Sequence, residues 1–234
     1  TSVEDVLDPQ FYGERWVAIT RRARIFVYDK ETNPEKPNIE SYFDITNPEF
    51  AKQVLVRSST SSYNIALLAS LIQTEGMEKA TEWASGVVNN FARIPTGNDR
   101  DQARAVVAGL GQVAIMNTYY LILMANSSDP ADQAVASRIG VIFPKKTHMN
   151  LSYASILQGA KNSENAKAFI EFLLEETQQN DFMRRNGEFP VRNDIELDPM
   201  IQSWGNFEVA PIDYETLGDV YAQAVILFDQ VNWE

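Results

Sequence analysis

The sequence predicts an α/β fold. Short apolar strand-like runs alternate along the chain with segments whose apolar residues recur at helical spacing. The composition is that of an ordinary globular protein, 44% apolar and 22% charged over 234 residues. A chain of this length buries a real core, as one large domain or two small ones. There is no internal repeat and no low-complexity tract.

Residues 1–15 form a polar lead-in with turn residues Pro9 and Gly13. Residues 16–20 and 23–28 read as two strands joined by Arg21-Arg22, and residues 32–37 as a loop. A strand at 53–57 runs into the hydroxyl-rich turn Ser58-Ser59-Thr60-Ser61-Ser62. A helix starts there, with Ser61 or Ser62 as its cap and Ile65, Leu68, Leu71 and Ile72 on one face. A second helix over 77–91 buries Ala80, Trp83, Val87 and Phe91, and a third over 101–108 stops at Gly109 and Gly111. The strand 113–116 leads through Asn117-Thr118-Tyr119-Tyr120 into a short helix to about residue 125. Ser127 to Pro130 opens another helix, and 140–143 is a strand closed by Pro144. The last third is mostly helical: 166–175 capped by Ser163, then 178–185, then 215–231.

Composition removes whole classes of function. With no Cys there are no disulfides, thiolate metal sites or cysteine nucleophiles. A single histidine, His148, excludes multi-histidine metal centres; its setting, Lys145-Lys146-Thr147-His148, reads as surface or hinge-side. The net charge of −12 argues against nucleic acid or an anionic membrane as the main partner. The longest apolar run, around 65–72, is far too short to span a membrane. Without a glycine-rich phosphate loop or a nucleophile elbow, the usual catalytic pairs cannot be assembled, so the chain is not expected to be an enzyme.

Three places carry possible chemistry. Adjacent residues on a regular helix diverge by about 100°, but Tyr119 and Tyr120 sit at a strand-to-helix junction where side chains can converge. That junction is at the carboxyl end of a strand, where α/β folds place ligands. Phenolates suit a hard trivalent cation such as Fe(III), which acidifies a phenol well below its free pKa of about 10. On residue type alone, such a pair is more often packing than ligand. Ser58 to Ser62 followed by Tyr63 presents free backbone N–H groups for an anion, although such a turn is more often a plain capping sequence. Alternation puts Arg22 and Arg24 on one strand face, where they hold an anion or orient a phenolate, although solvated arginines are the commoner outcome.

Four segments carry a family likeness: WVAITRRARIFVYDK, QVLVRSSTSSYNIALLASLI, VAIMNTYYLILM and NAKAFIEFLLEETQQNDFMRRNGEFPVRNDI. They resemble the iron(III) substrate-binding proteins of ABC importers, most of all the cyanobacterial FutA/IdiA branch. The resemblance covers nearly the whole chain in order. It implies a type II periplasmic-binding-protein fold, two α/β lobes closing on a ligand at a hinge. It implies Tyr63, Tyr119 and Tyr120 as Fe(III) ligands, with Arg22, Ser59, Thr60 and Asn117 at positions that hold a synergistic anion or lie close to the metal.

The chain departs from the family pattern in two ways. It opens at Thr1 in mid-pattern, so it reads as processed or truncated, lacking on the order of 90 residues, or roughly three strand–helix units, that supply further ligands. Ser152-Tyr153-Ala154 replaces the Ser-Gly step usual at the second crossover. The implied layout is a complete lobe over 26–150 and an incomplete one from 1–25 and 151–234. The exposed surface of the incomplete lobe is then met by a separate N-terminal fragment or a covering partner. The expected function is periplasmic Fe(III) binding for an ABC permease. The alternatives are an iron-stress protein protecting a photosynthetic complex, thylakoid-associated or cytoplasmic, and a receptor for another small anionic solute.

Overall fold

The computed structural model describes residues 5–234; residues 1–4 of the lead-in lie outside the described residues. In chain order the elements are β1 (Val17–Asp29), β2 (Val54–Leu55), α1 (Ser62–Glu75), α2 (Met77–Asn89), α3 (Asp99–Val107), β3 (Val113–Asn117), α4 (Thr118–Ala125), α5 (Pro130–Arg138), β4 (Ile139–Ile142), β5 (Met149–Ala154), α6 (Ser163–Leu173), α7 (Glu176–Asp181), β6 (Phe189–Pro190), α8 (Pro199–Ser203) and α9 (Leu217–Gln230). The α/β expectation holds.

The spine is β1, a single strand where two were expected. Arg21-Arg22 looks like a polar break, yet each arginine of this stretch finds a distant partner that lets the strand run on. Arg21 Nε donates to the Pro190 carbonyl at 2.8 Å, Arg22 pairs with Glu188 at 3.2 Å, and Arg24 pairs with Asp99 at 2.7 Å. Solvated arginines are therefore not the outcome: Arg22 is 8% exposed and Arg24 not at all.

The two halves of β1 serve different neighbours. Residues 17–23 pair antiparallel with β5 and, at Thr20 and Arg21, with β6. From Arg24 onward the strand pairs with β3, and from Phe26 also with β4; β2 adds to β3 in parallel. Alternation along the second half drives Phe26 and Tyr28 into one core, with Trp83 of α2 and Phe228 of α9. It drives Ile25 and Val27 into the other, with Val106 of α3, Leu121 of α4 and Ala136 of α5. Burial on both faces explains why this strand is a continuous apolar run. A third core, around Phe11, Ala18, Ile19 and Val191, lies beside the first half.

Local chemistry sets the helix starts. The Asn98 side chain accepts from the amides of Arg100 and Asp101, so α3 begins two residues before the expected position. Asp129 caps α5 with Pro130 behind it. The strand expected at 53–57 shrinks to Val54–Leu55. The strands β5 and β6, helix α8 and the 3-10 turns Tyr42–Thr46 and Pro48–Phe50 were not anticipated.

Several large apolar side chains are exposed. The helix α6 has no buried residue, and its Phe169 is 59% exposed. Tyr153, Leu157, Val225 and Ile226 are also exposed. A groove of about 820 Å³ lies between Trp16, Tyr153, Leu157, Tyr214 and Tyr221.

Trp83 is buried, donates to the Tyr42 carbonyl at 2.9 Å and packs against Trp233 with ring centroids 5.6 Å apart. Trp83→Ala removes that filling and leaves the carbonyl unpaired, so it is expected to cost about 3–5 kcal/mol, read as a lowered urea midpoint with the far-ultraviolet spectrum at zero urea unchanged.

Candidate functional site

Two helix starts face each other across the cleft beside β1. The turn 58–61 closes through the Ser61 amide on the Ser58 carbonyl at 3.1 Å, and Ser58 and Thr60 share a hydroxyl hydrogen bond of 2.8 Å. Ser61 occupies the cap position of α1, but its hydroxyl makes no cap hydrogen bond and is buried without a partner. The side-chain cap expected from Ser61 is therefore not made. Ser59 is partly buried and Thr60 exposed on this turn. Opposite, α4 follows β3 without a loop, and Asn117 likewise gives it no side-chain cap. Each helix thus presents an uncapped N-terminus, with the partial positive charge such an end carries.

These starts deliver the three tyrosines. Tyr63 Oη lies 3.3 Å from Tyr119 Oη. The rings of Tyr119 and Tyr120 have centroids 4.0 Å apart and an interplanar angle of 33°, so the pair stays together in the first turn of α4 rather than diverging. All three are partly buried. The Tyr119 phenol is pushed above its ordinary pKa, first by burial and then by hydrogen bonds to the Tyr120 and Tyr63 phenols. The metal-free cleft therefore holds Tyr119 as a neutral phenol.

Guanidinium groups surround the rings. Arg22 lies 5.8 Å from the Tyr119 centroid, Arg24 and Arg57 lie 5.8 and 5.7 Å from that of Tyr63, and Arg100 lies 5.7 Å from that of Tyr120. These are cation–π distances, and the same charges favour a phenolate once a proton leaves. Arg22 also bonds the Ser152 hydroxyl, across the strand pairing of β1 and β5. Asn117 lies fully buried beneath α4: its oxygen accepts from Asn150 Nδ2 at 3.0 Å, and its own Nδ2 has no partner among the described residues. Sequence reasoning missed Arg57, Asn64, Asp99 and Arg100, because nothing in their local sequence separates them from surface polar residues.

His148 is not at the surface. It is 1% exposed at the passage from β4 to β5, with Nε2 3.2 Å from Asn150 Oδ1 and its carbonyl accepting from the Arg24 amide at 2.9 Å. Burial lowers its pKa to about 4. Among the described residues no cluster of three or more His, Cys, Asp or Glu is placed to hold a metal. The donors available in the cleft are phenols.

The family model for bacterial extracellular solute-binding proteins matches residues 1–215. The chain belongs to that family. It is 36% identical to the iron uptake proteins A2 and A1 of Synechocystis sp., over 226 and 224 residues, covering 94% of this chain but 65% and 62% of those proteins. The chain therefore spans a little under two-thirds of the curated relatives it matches. Among solved structures it resembles a ferric binding protein from Campylobacter jejuni, with 38% identity and a TM-score of 0.92 over 100% of this chain and 77% of that one. It also resembles Trichodesmium FutA in complex with iron and citrate, with 34% identity and a TM-score of 0.93 over 100% and 76%. These matches establish the type II periplasmic-binding-protein fold. No helix among the described residues is long and apolar enough to cross a membrane.

The buried histidine makes stability depend on pH. Above about 6.5 the imidazole is neutral in both folded and unfolded chains, and its contribution is fully present. Between 6.5 and about 4 the unfolded chain takes up a proton that the folded chain refuses, so stability falls, by at most about 1.4 kcal/mol per pH unit. Urea titrations at pH 7 and 4.5 are expected to show this loss in the native protein and a smaller one in His148→Gln.

Proposed function

We propose that this chain is the solute-binding part of a ferric-iron uptake system, and that Tyr63, Tyr119 and Tyr120 hold Fe(III) as tyrosinates. The observation that carries the reading is the meeting of three phenols from two helix starts, with two of their oxygens 3.3 Å apart. Phenolate is a hard, anionic oxygen donor matched to a small trivalent cation. The relatives named for iron uptake and ferric binding support the same assignment.

The residues divide the work. The tyrosines exchange three phenol protons for one metal ion, so binding weakens as pH falls. Burial keeps the Tyr119 proton in place, so the metal has to displace it. Arg22, Ser59, Thr60 and Asn117 receive an accompanying anion or support the metal from behind its ligands, Asn117 from its buried place beneath α4. Residues 26–150 supply one lobe, with all three tyrosines, and α9 packs into it through Leu227 and Phe228; residues 1–25 with much of 151–216 supply part of the other. The lobes meet at β1 and β5 and close on the ion to exclude water. Delivery is to an ABC permease from the periplasmic side. The exposed apolar side chains of α6 and α9 are covered by further polypeptide of the same fold, in keeping with the greater length of the relatives.

The test uses ferric nitrilotriacetate and the 234-residue chain. Transfer of Fe(III) is expected to give a visible phenolate-to-metal charge-transfer band. Tyr119→Phe and Tyr120→Phe are each expected to shift or bleach that band and weaken binding at least tenfold, about 1.4 kcal/mol. A protein that stays colourless, or colour unchanged in both variants, overturns the assignment. Calorimetric heats with citrate alone, with no iron present and no band on loading, identify an anion receptor instead.

A further inference from the structure

We infer that Asp99 is the positioning residue of the tyrosine cluster, a single buried carboxylate that fixes both helix starts relative to β1. Asp99 touches none of the three tyrosines by hydrogen bond. It is the first residue of α3 and is fully buried. Its Oδ2 accepts from Arg24 Nη1 at 2.7 Å and from the backbone amide of Asn117 at 2.7 Å. Its Oδ1 accepts from Arg57 Nη1 at 3.3 Å.

Each of those donors leads to a tyrosine. Asn117 is the residue from which α4 springs, two positions before Tyr119. Arg24 passes the constraint on through Nη2, which donates to Asn64 Oδ1 at 2.7 Å. Asn64 follows Tyr63 in the first turn of α1, and its Nδ2 donates to the carbonyls of Arg57 and Ser58 at 2.8 and 3.2 Å, closing the serine turn. One carboxylate thus ties β1, the turn before α1 and the start of α4. The 3.3 Å approach of Tyr63 to Tyr119 is the distance between two segments anchored to it.

No isosteric neutral group can do the same work. All the donors that meet Asp99 are N–H groups, and two of them are cationic. An amide in its place has one acceptor oxygen; whichever way it turns, its NH₂ faces either Arg57 or the Arg24 and Asn117 donors. Removing one partner of a buried charge pair also leaves the other uncompensated, and the structure relaxes around it. Such relaxation moves the helix starts, and with them the phenols.

The inference rests on the iron reading for its consequence in binding, but not for its geometry, so two measurements are made on Asp99→Asn. In the metal-free protein carrying ¹³C-labelled tyrosine, the ring signals of Tyr63, Tyr119 and Tyr120 are expected to shift or broaden while those of distant tyrosines such as Tyr12 stay in place. In the ferric-loaded protein, a competing chelator is expected to remove iron at least tenfold faster, with the charge-transfer band displaced. Asp29→Asn is the control: Asp29 is equally buried and ion-paired, to Arg138, at the far end of β1, and its loss is expected to lower stability without moving either readout. Asp99→Glu keeps the charge and serves if the asparagine variant fails to fold. Its extra methylene cannot place both oxygens on the same donors, so the same shifts are expected. Signals and release rates within twofold of native in Asp99→Asn, or in Asp99→Glu where that variant serves, or equal changes in Asp29→Asn, overturn the assignment. A native protein that takes up no iron overturns the iron reading, and the tyrosine signals still decide the positioning role.

Discussion

A guanidinium cannot be taken out of water alone, and β1 buries two of them, Arg22 and Arg24, and half-buries a third, Arg21, within four residues. The desolvation cost of an unpaired buried ion is several kcal/mol, so the chain is organised around supplying partners: the Pro190 carbonyl to Arg21, Glu188 to Arg22, Asp99 to Arg24. These partners come from distant parts of the chain, Asp99 from its middle and Glu188 and Pro190 from its last quarter. Satisfying them brings the first turn of α3 under the cleft and the loop before β6 against its other side. The strand that carries most of the pairing in the molecule is therefore also the element that fixes where the polar cleft lies.

Inside that cleft two physical effects oppose each other. Burial and mutual hydrogen bonding favour neutral phenol at Tyr119, while four guanidinium groups within 6 Å of the rings and two uncapped helix ends favour negative charge. The balance leaves Tyr119 protonated but poised: a cation that displaced its proton would find the resulting phenolate already surrounded by positive charge. The same arrangement is unfavourable for a soft or weakly charged metal, which lacks the Lewis acidity to ionise a raised phenol.

Much of this was legible in the sequence, and the failures have a common cause. The helices α1, α2 and α9 follow from periodicity, because each turns apolar residues into one shared core, and strand β3 follows from its continuous apolar run, buried throughout. The pair Tyr119-Tyr120 was singled out by its place after a strand, and Tyr63 by the serine turn before it; the structure brings all three together. What failed was reading charge. Arg21-Arg22 looked like a turn and His148 like a surface residue, because local patterning treats polar residues as solvated. Their burial is decided by partners such as Asp99, 75 residues from Arg24, and Pro190, 169 residues from Arg21. The short strands β5 and β6 were missed for a related reason. β5 is mixed in polarity and β6 is only two residues long, and both exist because β1 offers them a partner, not because of their own pattern.

The charge carried by the chain as a whole and the charge around the tyrosines have opposite signs, and the difference bears on what enters. The net charge of −12 acts over the surface and is screened beyond about 8–10 Å at physiological salt. The guanidinium groups of Arg22, Arg24, Arg57 and Arg100 lie within that distance of the phenols, and among the described residues Asp99 and Glu188 are the carboxylates paired with them. Four positive groups against these two negative ones leave a surplus of two positive charges before any phenol ionises. On the proposed reading three tyrosinates would balance one Fe(III) and no more, so the surplus would survive binding of the bare ion. A cargo that brings its own negative charge removes it. The charge balance thus supports a reading in which Arg22 and the serine turn receive an anion together with the metal.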